Sequence, residues 1–256
     1  LNKLIKYSEP DINLKTLFVW PEGVFSGYSF KEIIYLKEIF SKNFSDNHYI
    51  LFGVNKSDTK KKGYFNSLVV VDRGMNIIQE YQKQKLVPFG EFLPFEKLLN
   101  QVGIKKVTEG YGSFLKGSEQ KNLVIDKLNI LPLICYEIIF TKFVQKSDPN
   151  TNLIINISED GWFGNSIGPY QHFIKGVYRA IEQNSFLIRS TNKGLSAIIN
   201  NRGEIIKKLN PNETGNVELE VPLIQNNNKN KNDLIFFALL ITYIFTFIFL
   251  RNKYEK

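Results

Sequence analysis

The sequence predicts a layered α/β domain followed by one membrane-spanning helix, and three observations carry that prediction. Strand-like runs outnumber helical ones, helices fall between several of them and hairpin spacings recur, as expected when sheets are covered by helices. Asn152-Leu-Ile-Ile-Asn-Ile157 is almost continuously apolar, the signature of a strand buried on both faces. Leu234 to Leu250 holds seventeen residues without a charge, bounded by Asp233 and by Arg251 and Lys253. That is just enough for the roughly 17–25 residues that cross a bilayer as a helix.

The elements follow in order. Thr16-Leu-Phe-Val-Trp20 is a β-type run stopped by Pro21-Glu22-Gly23, which leaves Glu22 at a strand end. Ser29-Phe-Lys-Glu32 has capping-box spacing and opens an amphipathic helix with Ile33, Ile34, Leu36, Ile39 and Phe40. Strands are expected at Tyr49–Val54, Tyr64–Val71 and Asn76–Tyr81, the last two joined by Asp72-Arg73-Gly74. The segment from Tyr81 to Phe95 is broken by Pro88, Gly90 and Pro94, and it crowds Phe89, Phe92, Leu93 and Phe95 around Glu91. Glycines and apolar residues mixed between Gly103 and Gly117 read as an apolar flap. A hairpin-like pair, Asn122–Asp126 and Asn129–Ile134, leads into Cys135 and a helix over Ile138–Gln145. Ser158 to Gly164 reads as a loop, and Gly168-Pro169 opens a helix through Asn184 in which His172 and Arg179 serve as polar packing or ion pairs. Strands at Ser185–Thr191, Leu195–Asn200, Glu204–Leu209 and Val217–Leu223 complete the domain.

The chain has 256 residues, 43% of them hydrophobic, enough for a sizeable core. Its 33 Lys and Arg against 25 Asp and Glu give a net charge of +8, but the basic residues are scattered in short runs such as Lys60-Lys61-Lys62. A nucleic-acid groove would gather them among aromatics, so no nucleic-acid partner is expected, and an anionic membrane surface is the more economical partner. No metal-ligand spacing, phosphate-cradling glycine loop or internal repeat occurs, and neither metal nor cofactor is expected.

Cys135 is the one cysteine, delivered by the apolar run Leu131-Pro-Leu-Ile into the acidic turn Tyr136-Glu137. A thiol acting as nucleophile requires a base, and an acyl transition state requires a fixed positive charge or donor at the developing oxyanion. Glu22 and Lys83 have the chemistry for those roles, although spacing alone does not bring them together.

On these residues the sequence resembles the nitrilase superfamily, whose members use a Glu-Lys-Cys triad on a four-layer αββα sandwich; the order Glu22, Lys83, Cys135 matches. More closely it resembles the apolipoprotein N-acyltransferases, through Val19-Trp-Pro-Glu22, Tyr81-Gln-Lys83, Leu86-Val-Pro-Phe-Gly-Glu-Phe92, Ile134-Cys-Tyr-Glu137, Trp162-Phe-Gly164, Gly168-Pro-Tyr-Gln-His-Phe173 and Arg189-Ser-Thr-Asn192. The resemblance implies Cys135 as nucleophile, Glu22 as general base and Lys83 as oxyanion stabiliser. It implies Glu91 as a second carboxylate orienting Lys83, Tyr136 and Glu137 as pocket-shaping residues, and Trp162 and Phe92 as lipid-binding. Two features depart from the pattern: Glu159 and Gly161 stand where Asn and Ala are expected, and Ile138-Ile-Phe140 replaces the Arg common in soluble nitrilases and amidases.

The implied reaction moves an acyl chain from a phospholipid to Cys135, and then to the α-amine of a diacylglyceryl-cysteine at the N-terminus of a bacterial lipoprotein. A membrane-tethered amidase, in which water resolves the intermediate, and an inactive binding module are the alternative readings. The expected organisation is a catalytic domain over 1–225, a polar linker over 226–233, a transmembrane helix over 234–250 and a cytoplasmic tail over 251–256. Arg251 and Lys253 beyond the span place the catalytic domain on the periplasmic side of the bacterial inner membrane. Because the chain starts at Leu1 without an initiator Met, further N-terminal spans are expected in the full-length protein, which would then be multi-pass.

Overall fold

The computed structural model describes residues 1–95, 112–119, 121–224 and 232–254. The flap expected at 103–117 falls mostly outside these residues, as does the linker segment 226–231. The chain divides into two compact units, Leu1–Gln225 and Asn226–Lys256.

The first unit opens with α1 (Asn2–Ser8), which the sequence did not announce, and β1 (Thr16–Val19). The Ser29–Glu32 capping box forms as expected, with the Ser29 N–H donating to Glu32 Oε2 at 2.7 Å, and starts α2 (Phe30–Ile33). A 3-10 turn, Ile34–Leu36, separates it from α3 (Lys37–Asn43). β2 (His48–Asp58), β3 (Gly63–Val71) and β4 (Ile77–Gln82) follow. With β1 they form a sheet of order β1-β2-β3-β4, parallel between β1 and β2 and antiparallel beyond.

A second sheet is built from β5 (Leu123–Ile125), β6 (Leu128–Ile134), β7 (Leu153–Glu159), β8 (Phe186–Asn192), β9 (Ser196–Ile199) and β10 (Ile205–Leu209), in the order β10-β9-β8-β7-β6-β5. Its centre, β6-β7-β8, is parallel, which agrees with the unbroken apolar reading of Leu153–Ile157. Cys135–Ile139 is a 3-10 turn followed by the short helix α4 (Thr141–Gln145), where the sequence reads one helix from Ile138. The long crossover helix α5 (Gly168–Glu182) begins at Gly168-Pro169 as read.

Three apolar clusters define four layers. Leu51, Leu68 and Val70 of the first sheet meet Ile130, Leu153 and Ile155 of the second, so the sheets stack face to face. Trp20, Ile50, Phe52 and Val69 pack under Ile33, Phe40 and Phe44 on the outer face of the first sheet. Leu131, Leu133, Ile154 and Leu187 pack under Val144, Phe173 and Ala180 on the outer face of the second. The result is an αββα sandwich, as the family resemblance implies.

One expected strand is corrected. Val217–Leu223 has no regular hydrogen-bonded structure, because its alternation reflects burial on one side only: Val217, Leu219 and Val221 rest against the inter-sheet core without joining a ladder. In the second unit, α6 (Asn232–Tyr254) contains an 18-residue window, Leu234–Arg251, of mean hydropathy 2.3, and none of that window is buried. One such helix, long and apolar enough to cross a membrane, is found among the described residues.

Candidate active site

Glu22, Lys83 and Cys135 each sit just past the end of a strand. Pro21 ends the β1 ladder and leaves Glu22 against β2, where Gly53 accommodates it: a Cβ there would lie 2.9 Å from the Glu22 Cα. The Glu22 carboxylate accepts from Asn66 Nδ2 at 2.8 Å and from the Glu159 N–H at 2.9 Å. Lys83 follows β4, and its N–H donates to the Asn66 carbonyl at 2.9 Å. Its side chain is only 1% exposed. Lys83 Nζ is 2.8 Å from Glu91 Oε1 and 4.0 Å from Glu22 Oε1. Asn66 Nδ2 also reaches Glu91 Oε1 at 2.8 Å, so one amide ties both carboxylates that flank the ammonium. The Pro- and Gly-broken loop closes over its own acid, with the Val87 N–H donating to Glu91 Oε2 at 2.9 Å.

Cys135 is the first residue past β6 and adopts φ +51°, a left-handed backbone that costs a non-glycine residue on the order of 1–2 kcal/mol. Burial and the Glu22 charge push its thiol up, against the opposing pull of Lys83 and a hydrogen bond with Ser158, to about 12. Burial likewise pushes the Glu22 carboxyl up, opposed by Lys83. Burial works against the Lys83 ammonium, but Glu22, Cys135, Glu91 and Glu137 together hold it above the usual lysine range. The structure therefore brings acid, amine and sulfur into one electrostatically coupled group. A neutral thiol beside a carboxylate of raised proton affinity and a fixed cation is equipped for base-assisted nucleophilic attack.

Glu137, fully buried, lies beneath this group and is surrounded by donors. Its Oε1 accepts from Tyr81 Oη at 2.9 Å and from the Gln84 and Lys85 N–H groups at 2.8 and 3.0 Å, and its Oε2 from the Ile134 N–H at 2.9 Å. It thus locks the end of β6 to the segment that carries Lys83. Burial pushes its carboxyl up while Lys83 and three backbone N–H groups oppose. Tyr136 is 38% exposed and packs between Phe140 and His172. Trp162 is 65% exposed on the 3-10 turn Asp160–Phe163 after β7. Phe92 is half-buried at the loop's closing bridge to Pro88.

A buried polar network, which sequence reasoning missed, supports the Cys135 backbone. The Cys135 carbonyl accepts from Asn156 Nδ2 at 3.3 Å and lies 3.2 Å from His172 Nε2. His172 Nδ1 lies 3.0 Å from Asp160 Oδ1, and Asp160 Oδ2 accepts from Arg189 Nη2 at 2.7 Å. Arg189 also donates to Asn156 Oδ1, and Ser158 Oγ donates to Asp160 at 2.7 Å. Burial alone would push the Asp160 carboxyl up; His172, Arg189 and Ser158 outweigh it and bring it to about 2. The signal for this network was present as polar residues inside otherwise apolar strands: Asn66, Asn156, Ser158 and Arg189. The reading of His172 as polar packing holds, and Arg179 pairs with Glu182 at 2.8 Å.

The carbon-nitrogen hydrolase family model matches residues 16–226. The chain belongs to the carbon-nitrogen hydrolase family. Among the family's curated members, it is 39% identical over 218 residues to the apolipoprotein N-acyltransferase of Rhizobium leguminosarum bv. trifolii, covering 83% of this chain and 40% of that one. It is 40% identical over 208 residues to the apolipoprotein N-acyltransferase of Rickettsia typhi, covering 75% and 41% respectively. The chain thus spans about two fifths of the length of these relatives. Among solved structures, the carbon-nitrogen hydrolase fold recurs in a superfamily protein of Xanthomonas campestris with an arsenic adduct in its active site, at TM-score 0.58 and 18% identity, covering 82% of this chain and 81% of that one. It recurs also in an amidase of Nesterenkonia sp. AN1 carrying the acetamide moiety of fluoroacetamide on its active-site cysteine, at TM-score 0.57 and 15% identity, covering 83% and 79%.

The two residues that depart from the acyltransferase pattern turn out to be a pair. Glu159 Oε1 accepts from the Gly161 N–H at 3.1 Å, and a Cβ at Gly161 would lie 2.5 Å from the same oxygen. Glycine at 161 thus lets the acid keep this hydrogen bond, which a Cβ would displace, and Asn192 Nδ2 holds its other oxygen at 2.6 Å.

Proposed function

We propose that this chain carries the catalytic part of an enzyme that N-acylates the N-terminal diacylglyceryl-cysteine of bacterial apolipoproteins, taking the acyl chain from a phospholipid. The observation that carries the reading is the Lys83 ammonium set between Glu22 and Glu91 and coupled to the Cys135 thiol. The names of the most similar curated relatives supply the substrate class.

In this reading Glu22 takes the thiol proton as Cys135 Sγ attacks the ester carbonyl, and Lys83 faces the oxyanion as it forms. The carbon–oxygen bond then breaks, and the proton held by Glu22 passes to the departing lysophospholipid oxygen. In the second half, the substrate α-amine attacks the thioester. Glu22 takes the amine's proton, the carbon–nitrogen bond forms, and Cys135 leaves as thiolate and recovers that proton. Glu91 fixes the Lys83 ammonium, Glu137 fixes the turn, and Tyr136, Trp162 and Phe92 receive the lipid. The organisation that fits is a periplasmic catalytic domain over 1–225, a linker over 226–233, a span over 234–250 in the bacterial inner membrane and a cytoplasmic tail over 251–256. The names of the curated relatives, apolipoprotein N-acyltransferases, favour the transferase over the amidase.

Mass spectrometry after exposure to a phospholipid with a labelled acyl chain tests the reading. An acyl group on Cys135 that a lipopeptide amine removes faster than water does is the expected result. A Cys135→Ala variant that still forms the adduct refutes the nucleophile, and discharge by water alone at equal rate returns the amidase.

A further inference from the structure

A second site adjoins the segment that Glu137 holds through the Gln84 and Lys85 N–H groups. Here a cavity of about 680 Å³ is lined by four lysines, Lys85, Lys116, Lys142 and Lys146, and among the described residues by no carboxylate. Phe140 and Phe143 form its apolar wall, and Lys85 Nζ lies over both rings, 5.9 and 5.6 Å from their centroids. The side-chain amide nitrogen of Gln84, also in the lining, is buried without a hydrogen-bond partner. A buried donor of this kind is costly unless something accepts from it. Glu137, the nearby acid, has both oxygens engaged by four donors, none of them a lysine ammonium of this cavity. Among the described residues the cavity is therefore a cluster of cations and an idle donor on an aromatic wall, with no acceptor of the protein's own hydrogen-bonded to them.

We propose that this cavity binds the phosphate of a phosphate ester and, resting on the acyl-donor reading above, that it holds the headgroup phosphate of the phospholipid while the ester reaches Cys135. Its volume lies in the range of small-molecule sites and exceeds what a bare phosphate fills, leaving space for the attached glycerol. The route to the nucleophile is short in covalent terms. Phe140 of the cavity meets Tyr136 edge-on at 6.3 Å between centroids, and Tyr136 adjoins Cys135. The Gln84 and Lys85 N–H groups share one Glu137 oxygen, so the cavity's near wall and the nucleophile's turn are a single hydrogen-bonded unit.

The test uses the full chain with Cys135→Ala in neutral detergent, titrated calorimetrically with dihexanoyl-phosphatidylglycerol, glycerol 3-phosphate and inorganic phosphate. The short lipid should bind, inorganic phosphate should compete with it, and Lys85→Gln with Lys142→Gln and Lys146→Gln should weaken binding tenfold or more. Gln84→Leu should weaken it a few-fold. A control with the same change in net charge, Lys60→Gln with Lys61→Gln and Lys62→Gln, should bind as the parent does. Equal weakening by both triples, or by neither, overturns the site. Glycerol 3-phosphate binding as tightly as the lipid overturns the headgroup assignment. Because binding is read without acyl transfer, a chain that binds the lipid yet never acylates Cys135 refutes the proposed reaction and leaves the site standing.

Discussion

Arg189→Met probes the buried network most sharply. The guanidinium is 1% exposed, donates to Asp160 Oδ2 at 2.7 Å and also holds Asn156. Removing it leaves a fully buried carboxylate without its countercharge, a loss of about 3–5 kcal/mol in comparable cases. The Asn156 hydrogen bond adds about 1 kcal/mol. Against a typical stability of about 5–15 kcal/mol, the variant should lose a third or more. Asp160→Leu strands the guanidinium in turn and should cost a similar amount. Combining the two removes both charges together, so the double variant should be destabilised by clearly less than the sum of the singles. Urea unfolding of the full chain in detergent micelles measures all four proteins. With a slope of roughly 2–3 kcal/mol/M, each single variant should lower the midpoint by about 1.5–3 M. Singles that add within about 0.5 kcal/mol would mean the two groups are uncoupled, and the network would be wrong.

Three further outcomes follow from the same geometry. The Asp160 carboxyl is held at about 2, below its unfolded value near 3.8, so its contribution of roughly 2–2.5 kcal/mol is complete above pH 4. That contribution should fade as pH drops from about 4 to 2, and Asp160→Asn should flatten this part of the stability–pH curve. Lys83→Met removes the charge that opposes burial at the Cys135 thiol, so iodoacetamide alkylation at fixed pH should slow tenfold or more; an unchanged rate would refute their coupling. Gly161→Ala displaces the end of the Glu159 side chain and should cost about 0.5–1.5 kcal/mol, the worth of its hydrogen bond to the 161 N–H, and less in the Glu159→Asn background, as thermal unfolding would show.

Much of the fold was legible because hydrophobic period and punctuation agree along the chain: the capping box at Ser29, Pro169 at the start of α5 and the apolar run of β7 each formed as read. Val217–Leu223 misled because alternation reports one-sided burial and is blind to whether a neighbouring strand supplies hydrogen bonds. The candidate site was legible as residue types at strand ends and through family resemblance. What escaped was support from afar: Asn66 is separated by 44 residues from Glu22 and by 25 from Glu91. Asp160, His172 and Arg189 meet only because a crossover helix returns over parallel strands. Pairings of that kind depend on topology, which local pattern does not encode.

The left-handed backbone at Cys135 has an evolutionary corollary. At most positions a damaged side chain is tolerated at some energetic loss, but here glycine, or to a lesser degree asparagine, would relax the chain while deleting the sulfur. Under the proposed reaction, losing the sulfur would thus relax the backbone, and cysteine at this corner would be kept against that strain for its chemistry alone.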